Sequence, residues 1–226
     1  MNKALSANSA IPQSVTLSSE LTLTLRDAII TGEIEQGSKL SETKLATELD
    51  VSRGPLREAI RRLEGMNLIE HVPQQGARVV TLNKKLILQI YDAREALESK
   101  AAYLAATNMS SQKIDELNRS LDVQSNHMRE HSAAVVSAES DYVFHEQLIR
   151  GSRNKVIENA LLEEVYNLIK MFRYQNESFN TSHSNALIEH RQIAYSIEQR
   201  DAVLAETTMR QHIKRARERI EQRMLD

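Results

Sequence analysis

Apolar residues Leu21, Leu25 and Ile29 recur every four positions and stop at the turn TGE, which predicts a first helix. GSKLSETKLATEL then reads as a turn followed by a second helix, with Ser41 placed to cap it. After the tight turn DVS, a third helix is predicted from about Arg53 to Met66. Its core side carries Leu56, Ala59, Ile60 and Leu63, Ser52 is its cap, and Pro55 is tolerated in its first turn. NLIEHV and ARVVTL are short β runs joined by PQQG, the pattern of a hairpin. Helix, helix, turn, helix and hairpin is the element order of a winged helix-turn-helix.

The remainder reads differently. Glycines 32, 37, 54, 65 and 76 fall within one span of 45 residues and all three prolines in the first third of the chain, and beyond them only Gly151 interrupts long helical periodicity. The expected division is a polar tail over residues 1–14, a winged helix-turn-helix over 15–82 and an all-α antiparallel bundle over 83–226, a mainly α fold.

In that second part each helical stripe has a polar residue at a core position. The stripe Leu86, Ile90, Leu97, Ala101, Leu104 has Arg94 between 90 and 97. Ala138, Asp141, His145, Leu148 carries two polar residues four apart. Ala186, His190, Ile193, Ile197 and Ala205, Met209, His212, Ala216, Ile220 carry one each. Burying such groups without partners costs several kcal/mol. A single inward histidine is more often a hydrogen-bonded core residue than a ligand, and Arg94 can equally form a core ion pair with Asp141 or Glu98. Three imidazoles and one carboxylate arriving together from three helices are, however, the composition of a divalent metal site with positions left open. Arg94 can then fork onto a carboxylate whose other end touches the metal. By contrast, His127 and His131 share a face with Ser120 and Gln124 and oppose the stripe Ile114, Leu117, Leu121, Met128, so that face is expected in solvent. His71 and His183 are expected to have no role, and Glu146 and Glu189 to point away from the stripes.

Composition narrows the chemistry. The chain has 226 residues, 41% of them hydrophobic and 4% aromatic, with no tryptophan, so its cores rest on aliphatic residues. The absence of cysteine removes disulfides, thiolate zinc sites and thiol catalysis, and suits a cytoplasmic location. No segment has the length of a membrane span, and the N-terminus lacks the apolar stretch of a signal peptide. A net charge of −2 gives no sign of nucleic acid. The placement of charge does: Arg53, Arg57 and Arg61 form one basic stripe on the third helix, whose N-terminal residues in such a unit meet base edges and phosphates in the DNA major groove. Gln75 and Gly76 fall at the tip of the wing. A metal-dependent hydrolase is the competing class, but no H-E-x-x-H, G-x-S-x-G or phosphate-loop motif is present.

Residues 21–80, with the motifs G-x-I-x-x-G, L-A-x-x-L, V-S-R-x-P-L-R-E-A and G-A-R-V, resemble the DNA-binding domain of the GntR family of bacterial transcription regulators. The resemblance implies that Ser52, Arg53, Arg57 and Gly76 contact DNA. Where members often place a basic contact residue, this chain has Thr43, with Lys44 next to it. Residues 86–222, with R-E-A-L-E, D-x-x-x-H, S-x-N at Ser152–Asn154, E-H-x-x-I and M-x-x-H, resemble the helical FCD effector domain of the FadR-type branch. That resemblance implies a divalent metal, zinc or nickel, on Asp141, His145, His190 and His212, with Arg94 anchoring a small carboxylate effector. The implied protein is not an enzyme. It is a metabolite-responsive regulator, acting as a homodimeric repressor on an inverted-repeat, double-stranded DNA operator; a metal-responsive regulator is the alternative.

Overall fold

The computed structural model describes residues 16–130, 138–176 and 184–224, so the expected tail, His131 and His183 lie outside the described residues, as do the side chains of His127 and Ala138. Helix α1 (Leu17–Thr31) starts at Thr16, whose side chain accepts from the Ser19 amide, and ends at Gly32 in the left-handed region. Helix α2 (Glu42–Glu48) is capped by Ser41 as expected. Helix α3 (Arg53–Gly65) buries Leu56, Ala59, Ile60 and Leu63 against α1, which contributes Leu21, Leu25 and Ile29.

Ser52 occupies the cap position of α3, but its hydroxyl makes no capping bond. The expectation fails for a local reason. The third helical position, whose N–H such a side chain commonly accepts, is Pro55, which has no N–H. The Ser52 side chain is left exposed at the tip of the helix.

Strands β1 (Ile69–Val72) and β2 (Gly76–Val79) pair antiparallel, Ile69 opposite Val79 and Val72 opposite Gly76. Gln74 and Gly76 both have positive φ, which closes the short turn between them. Residues 37–40 lie against the far edge of β2, through an isolated bridge between Lys39 and Arg78 and a bond from the Leu40 amide to the Ala77 carbonyl. The wing is thereby tied back to the segment between α1 and α2.

Asn83 caps α4 (Lys84–Asn108), so the long helix starts where the periodicity changes. Helices α5 (Ser111–Glu130), α6 (Ala138–Gly151), α7 (Lys155–Glu158), α8 (Tyr166–Gln175), α9 (Ser184–Glu198) and α10 (Ala202–Arg223) complete the bundle. Between α7 and α8 the chain runs as a π-helix over Asn159–Val165. Helix α4 packs most extensively on α10 and also meets α6 and α9, while α8 packs along α1. No described helix is long and apolar enough to cross a membrane.

The buried face of α4 is broader than its stripe suggests. Ile87, Tyr91, Glu98, Ala102 and Ala105 are buried with Ile90, Arg94 and Ala101, whereas Leu86, Leu97 and Leu104 are only partly covered. A helix with several neighbours needs more than one apolar row. The face of α5 expected in solvent also departs from expectation. Gln124 is buried, and Ser120 bonds Gln147 of α6, because α5 packs on both α6 and α9.

Candidate functional site: a buried Asp–His centre and an arginine face

Asp141 and His145 sit four apart on α6, one turn along the same face, and both point into the bundle. His190 from α9 and His212 from α10 meet them there, and all four side chains are buried. The Nε2 of His212 lies 3.3 Å from that of His190 and 3.4 Å from that of His145. The Asp141 Oδ1 is 3.6 Å from the His190 Nε2, and its Oδ2 is 3.8 Å from the His145 Nε2. Ligands about 2.1 Å from one ion in tetrahedral array are roughly 3.4 Å from each other. The four groups together can hold a metal ion.

Tautomers strengthen that reading. The Nδ1 of His145 lies 2.6 Å from Glu98, and the Nδ1 of His212 lies 2.6 Å from Glu189. Each carboxylate calls for a proton on the Nδ1 it faces, so in the neutral ring the Nε2 lone pair points into the centre. Burial, helped by the neighbouring imidazoles, lowers the pKa of His190 well below its usual value and also lowers that of His212. Burial also opposes ionisation of Asp141, yet Arg173 and then the three histidines hold its carboxyl well below the ordinary range. Electron-rich atoms facing one another inside a dry core are what a cation satisfies.

Buried ion pairs frame the centre. Arg94 Nε donates to Glu98 at 2.6 Å, so Arg94 pairs with Glu98 and not with Asp141. The Arg94 Nη2 donates to the Tyr166 hydroxyl, which donates in turn to Glu98, each at 3.0 Å. Burial works against charge on Glu98, but Arg94 and His145 lower its pKa to about 2. The guanidinium of Arg94 sits over the rings of Tyr91 and Tyr166. Its Nη1 is buried and has no hydrogen-bond partner among the described residues. Phe144 stacks on His190 with ring centroids 4.0 Å apart, and the same Phe144 lines a groove of about 520 Å³ with Ser120, Gln124 and Val143.

Arg173, Glu98 and Glu189 were not among the expected site residues. Arg173 donates to Asp141 at 2.5 Å. Its signal was present, since Tyr166, Ile169 and Arg173 form a stripe on α8 with an arginine at a core position, the same pattern as Arg94 on α4. Glu189 corrects an expectation: it does not point away, but is buried between His212 and Arg215. It lies beside His190 at the edge of the buried stripe, where a rotation of one residue brings it under the neighbouring helix. Glu146 remains near the surface with Arg150, as expected.

On the other domain Ser52, Arg53, Arg57, Arg61 and Gln75 are all exposed, and Gly76 is partly so. Arg57 donates to both oxygens of Glu42 on α2, from Nη2 at 3.1 Å and from Nε at 3.2 Å or more, and Arg53 reaches the same carboxylate at 3.4 Å. The hydrogen bonds from Arg57 lower the pKa of Glu42, against burial. Lys44 pairs weakly with Glu48, and Thr43 is exposed. His71 is exposed, with its Nδ1 3.6 Å from Glu64.

Residues 17–79 match the model described as bacterial regulatory proteins, gntR family, and residues 89–215 match the FCD domain. The chain is a GntR-family transcription regulator with an FCD domain. It is 29% identical to the HTH-type transcriptional regulator YdhC of Bacillus subtilis over 84% of this chain and 82% of that one. It is 34% identical to a gluconate operon transcriptional repressor of Bacillus licheniformis over 59% of this chain and 54% of the relative. Among solved structures, E. coli McbR/YncC superposes with a TM-score of 0.72 at 19% identity, covering 93% of this chain and 99% of that one, so the fold is shared. The relatives are named as transcription regulators, in keeping with the expectation of a protein that is not an enzyme.

Removing Glu98 from this regulator leaves Arg94 charged and buried without its main partner. Glu98→Ala is expected to destabilise the bundle by about 3–5 kcal/mol, the usual cost of breaking a buried pair from one side. Denaturant unfolding of wild type and variant measures it. A loss under 1 kcal/mol would mean that water reaches Arg94.

Proposed function

We propose that the chain is a homodimeric repressor whose affinity for its operator is set by a small carboxylate acid, held between a divalent metal and Arg94. The observation that carries this is the Arg94 guanidinium: buried, fixed by Glu98 and Tyr166, linked through Glu98 to His145 of the Asp–His cluster, and left with its Nη1 unpartnered among the described residues. A buried donor without a partner costs free energy, and an anionic oxygen is the group that relieves it. Asp141, His145, His190 and His212 hold the metal, which when bound supplies a Lewis-acid position for acid oxygens; zinc and nickel suit this donor set. Glu98 and Glu189 orient two of the imidazoles, and Arg94 orients the acid. Relatives named as gluconate operon repressors favour a sugar acid.

On the DNA side Ser52, Arg53, Arg57 and Arg61 enter the major groove with the N-terminal half of α3, and Gln75 and Gly76 bring the wing against the backbone. Two such units on a two-fold axis read an inverted repeat. Glu42 belongs to this reading. It competes for the Arg57 guanidinium through an exposed, exchangeable pair, and its own charge repels phosphate, so it favours a matched base edge over unspecific backbone contact.

Element analysis of purified protein, then titration of an operator complex with gluconate and related acids, tests the effector reading. About one metal per chain is expected, lost in His190→Ala. Arg94→Lys keeps a charge for Glu98 but loses the fork, so metal is retained while the response to acid falls at least about tenfold. If metal-stripped and metal-loaded protein bind the operator alike and no acid changes that affinity, the effector reading fails.

For the DNA face, Arg57→Ala is expected to weaken operator binding by about 1–3 kcal/mol. Glu42→Gln should tighten binding to unrelated DNA while narrowing the gap between operator and unrelated sequences. Binding isotherms on both DNAs at two salt concentrations decide this. An unchanged ratio in Glu42→Gln, with Arg57→Ala weakened, would remove Glu42 from the specificity argument and leave Arg57 in it.

A further inference from the structure

Helix α8 touches both charged ends of the buried centre. Tyr166 and Arg173 are seven residues apart, two turns along one face. Tyr166 bonds Arg94 and Glu98 at one end, and Arg173 bonds Asp141 at the other. Two residues past Arg173, and about 200° around the helix, Gln175 points the opposite way. Its Nε2 donates to the Ile29 carbonyl in the last turn of α1 at 2.7 Å, and its Oε1 accepts from Gln36 Nε2 at 2.7 Å. Gln36 in turn accepts from the Leu82 amide at 2.8 Å, one residue before the Asn83 cap of α4. A Cβ added at Gly32 would lie 3.4 Å from the Gln175 side chain, so Gln175 rests directly on the turn that ends α1. One glutamine therefore ties α8 to α1, and through Gln36 to the start of α4.

We propose that α8 is the strut through which the buried centre acts on the winged domain, and that Gln175 is its coupling residue. This rests on the metal reading above. Among the described residues the Arg173 side chain is hydrogen-bonded to Asp141 Oδ2 alone, so an ion taken by that carboxylate draws on the same charge that holds Arg173 and resets the position of α8. The π-helix immediately before Tyr166 interrupts the α-helical register, a feature found mostly at functional sites. On the other side the change is delivered to α1, which packs along α3 and so carries the recognition helix with it. Gln175 touches no ligand of the centre; it is a positioning residue.

Hydrogen exchange on the full chain, with and without zinc as the probe, tests this. In wild type, zinc should change exchange by about fivefold or more, the lower range of coupling between sites, at two places: the peptides spanning residues 28–38 and 80–86, and the peptides of α8. In Gln175→Ala, zinc affinity and the change within α8 should be kept, while the change over 28–38 is lost. Gln36→Ala, which keeps the Gln175 bond to the Ile29 carbonyl, should lose the change over 80–86. Persistence of the change over 28–38 in Gln175→Ala overturns the proposal. So does zinc binding in wild type with no change there. Failure of zinc to bind wild type at all would bring down the metal reading, and the coupling with it, which distinguishes the two.

Discussion

The convergence of three imidazoles and one carboxylate inside a helical core is the constraint around which the bundle is arranged. Each group is costly to bury and none is satisfied by the other three alone. The surrounding residues compensate in layers. Glu98 and Glu189 take the Nδ1 protons, Arg173 takes one oxygen of Asp141, and Arg94 and Arg215 neutralise the two glutamates. Removing any one of these charges exposes the next, so the helices that carry them are held in register by electrostatics as well as by apolar packing.

The same layering explains why the centre suits binding rather than turnover. A metal-dependent hydrolase needs a carboxylate or imidazole free to take a proton from water. Two inward glutamates do exist: Glu98, expected only as a candidate partner of Arg94, and Glu189, expected to point away. Glu98 already faces Arg94, His145 and Tyr166, and its low pKa leaves little basicity. Glu189 is divided between His212 and Arg215. Both are occupied in orienting rings, and neither is positioned as a free base.

Periodicity revealed most of the architecture and five inward polar residues, because a polar group at a core position breaks a repeat that is otherwise regular. It revealed less about partners. Arg173 obeys the same rule on α8 and was there to be found. Glu189 was not, since a residue at the margin of a stripe is buried or exposed according to the rotation of its helix and the neighbour that arrives. Gln124 failed for that reason too: one apolar row on α5 suggested a wet opposite face, whereas contact with both α6 and α9 buries part of it. At Ser52 the local sequence held the answer, because Pro55 three residues later removes the N–H that a capping hydroxyl would use.

The two domains use arginine in opposite ways, and the difference follows from solvent. Arg94 is bonded through Nε and Nη2 in the buried interior, where an Nη1 unmatched among the described residues is costly. Arg57 is exposed, its pair with Glu42 is screened by water, and exchanging that partner for a base edge or phosphate costs little. In the proposed function, the interior arginine selects among small acids by shape, and the surface arginine selects among DNA sequences by competition with its own carboxylate. A regulator needs both kinds, one slow to be satisfied and one quick to be exchanged. The chain separates them by placing the first in a bundle of long helices and the second on the exposed face of α3.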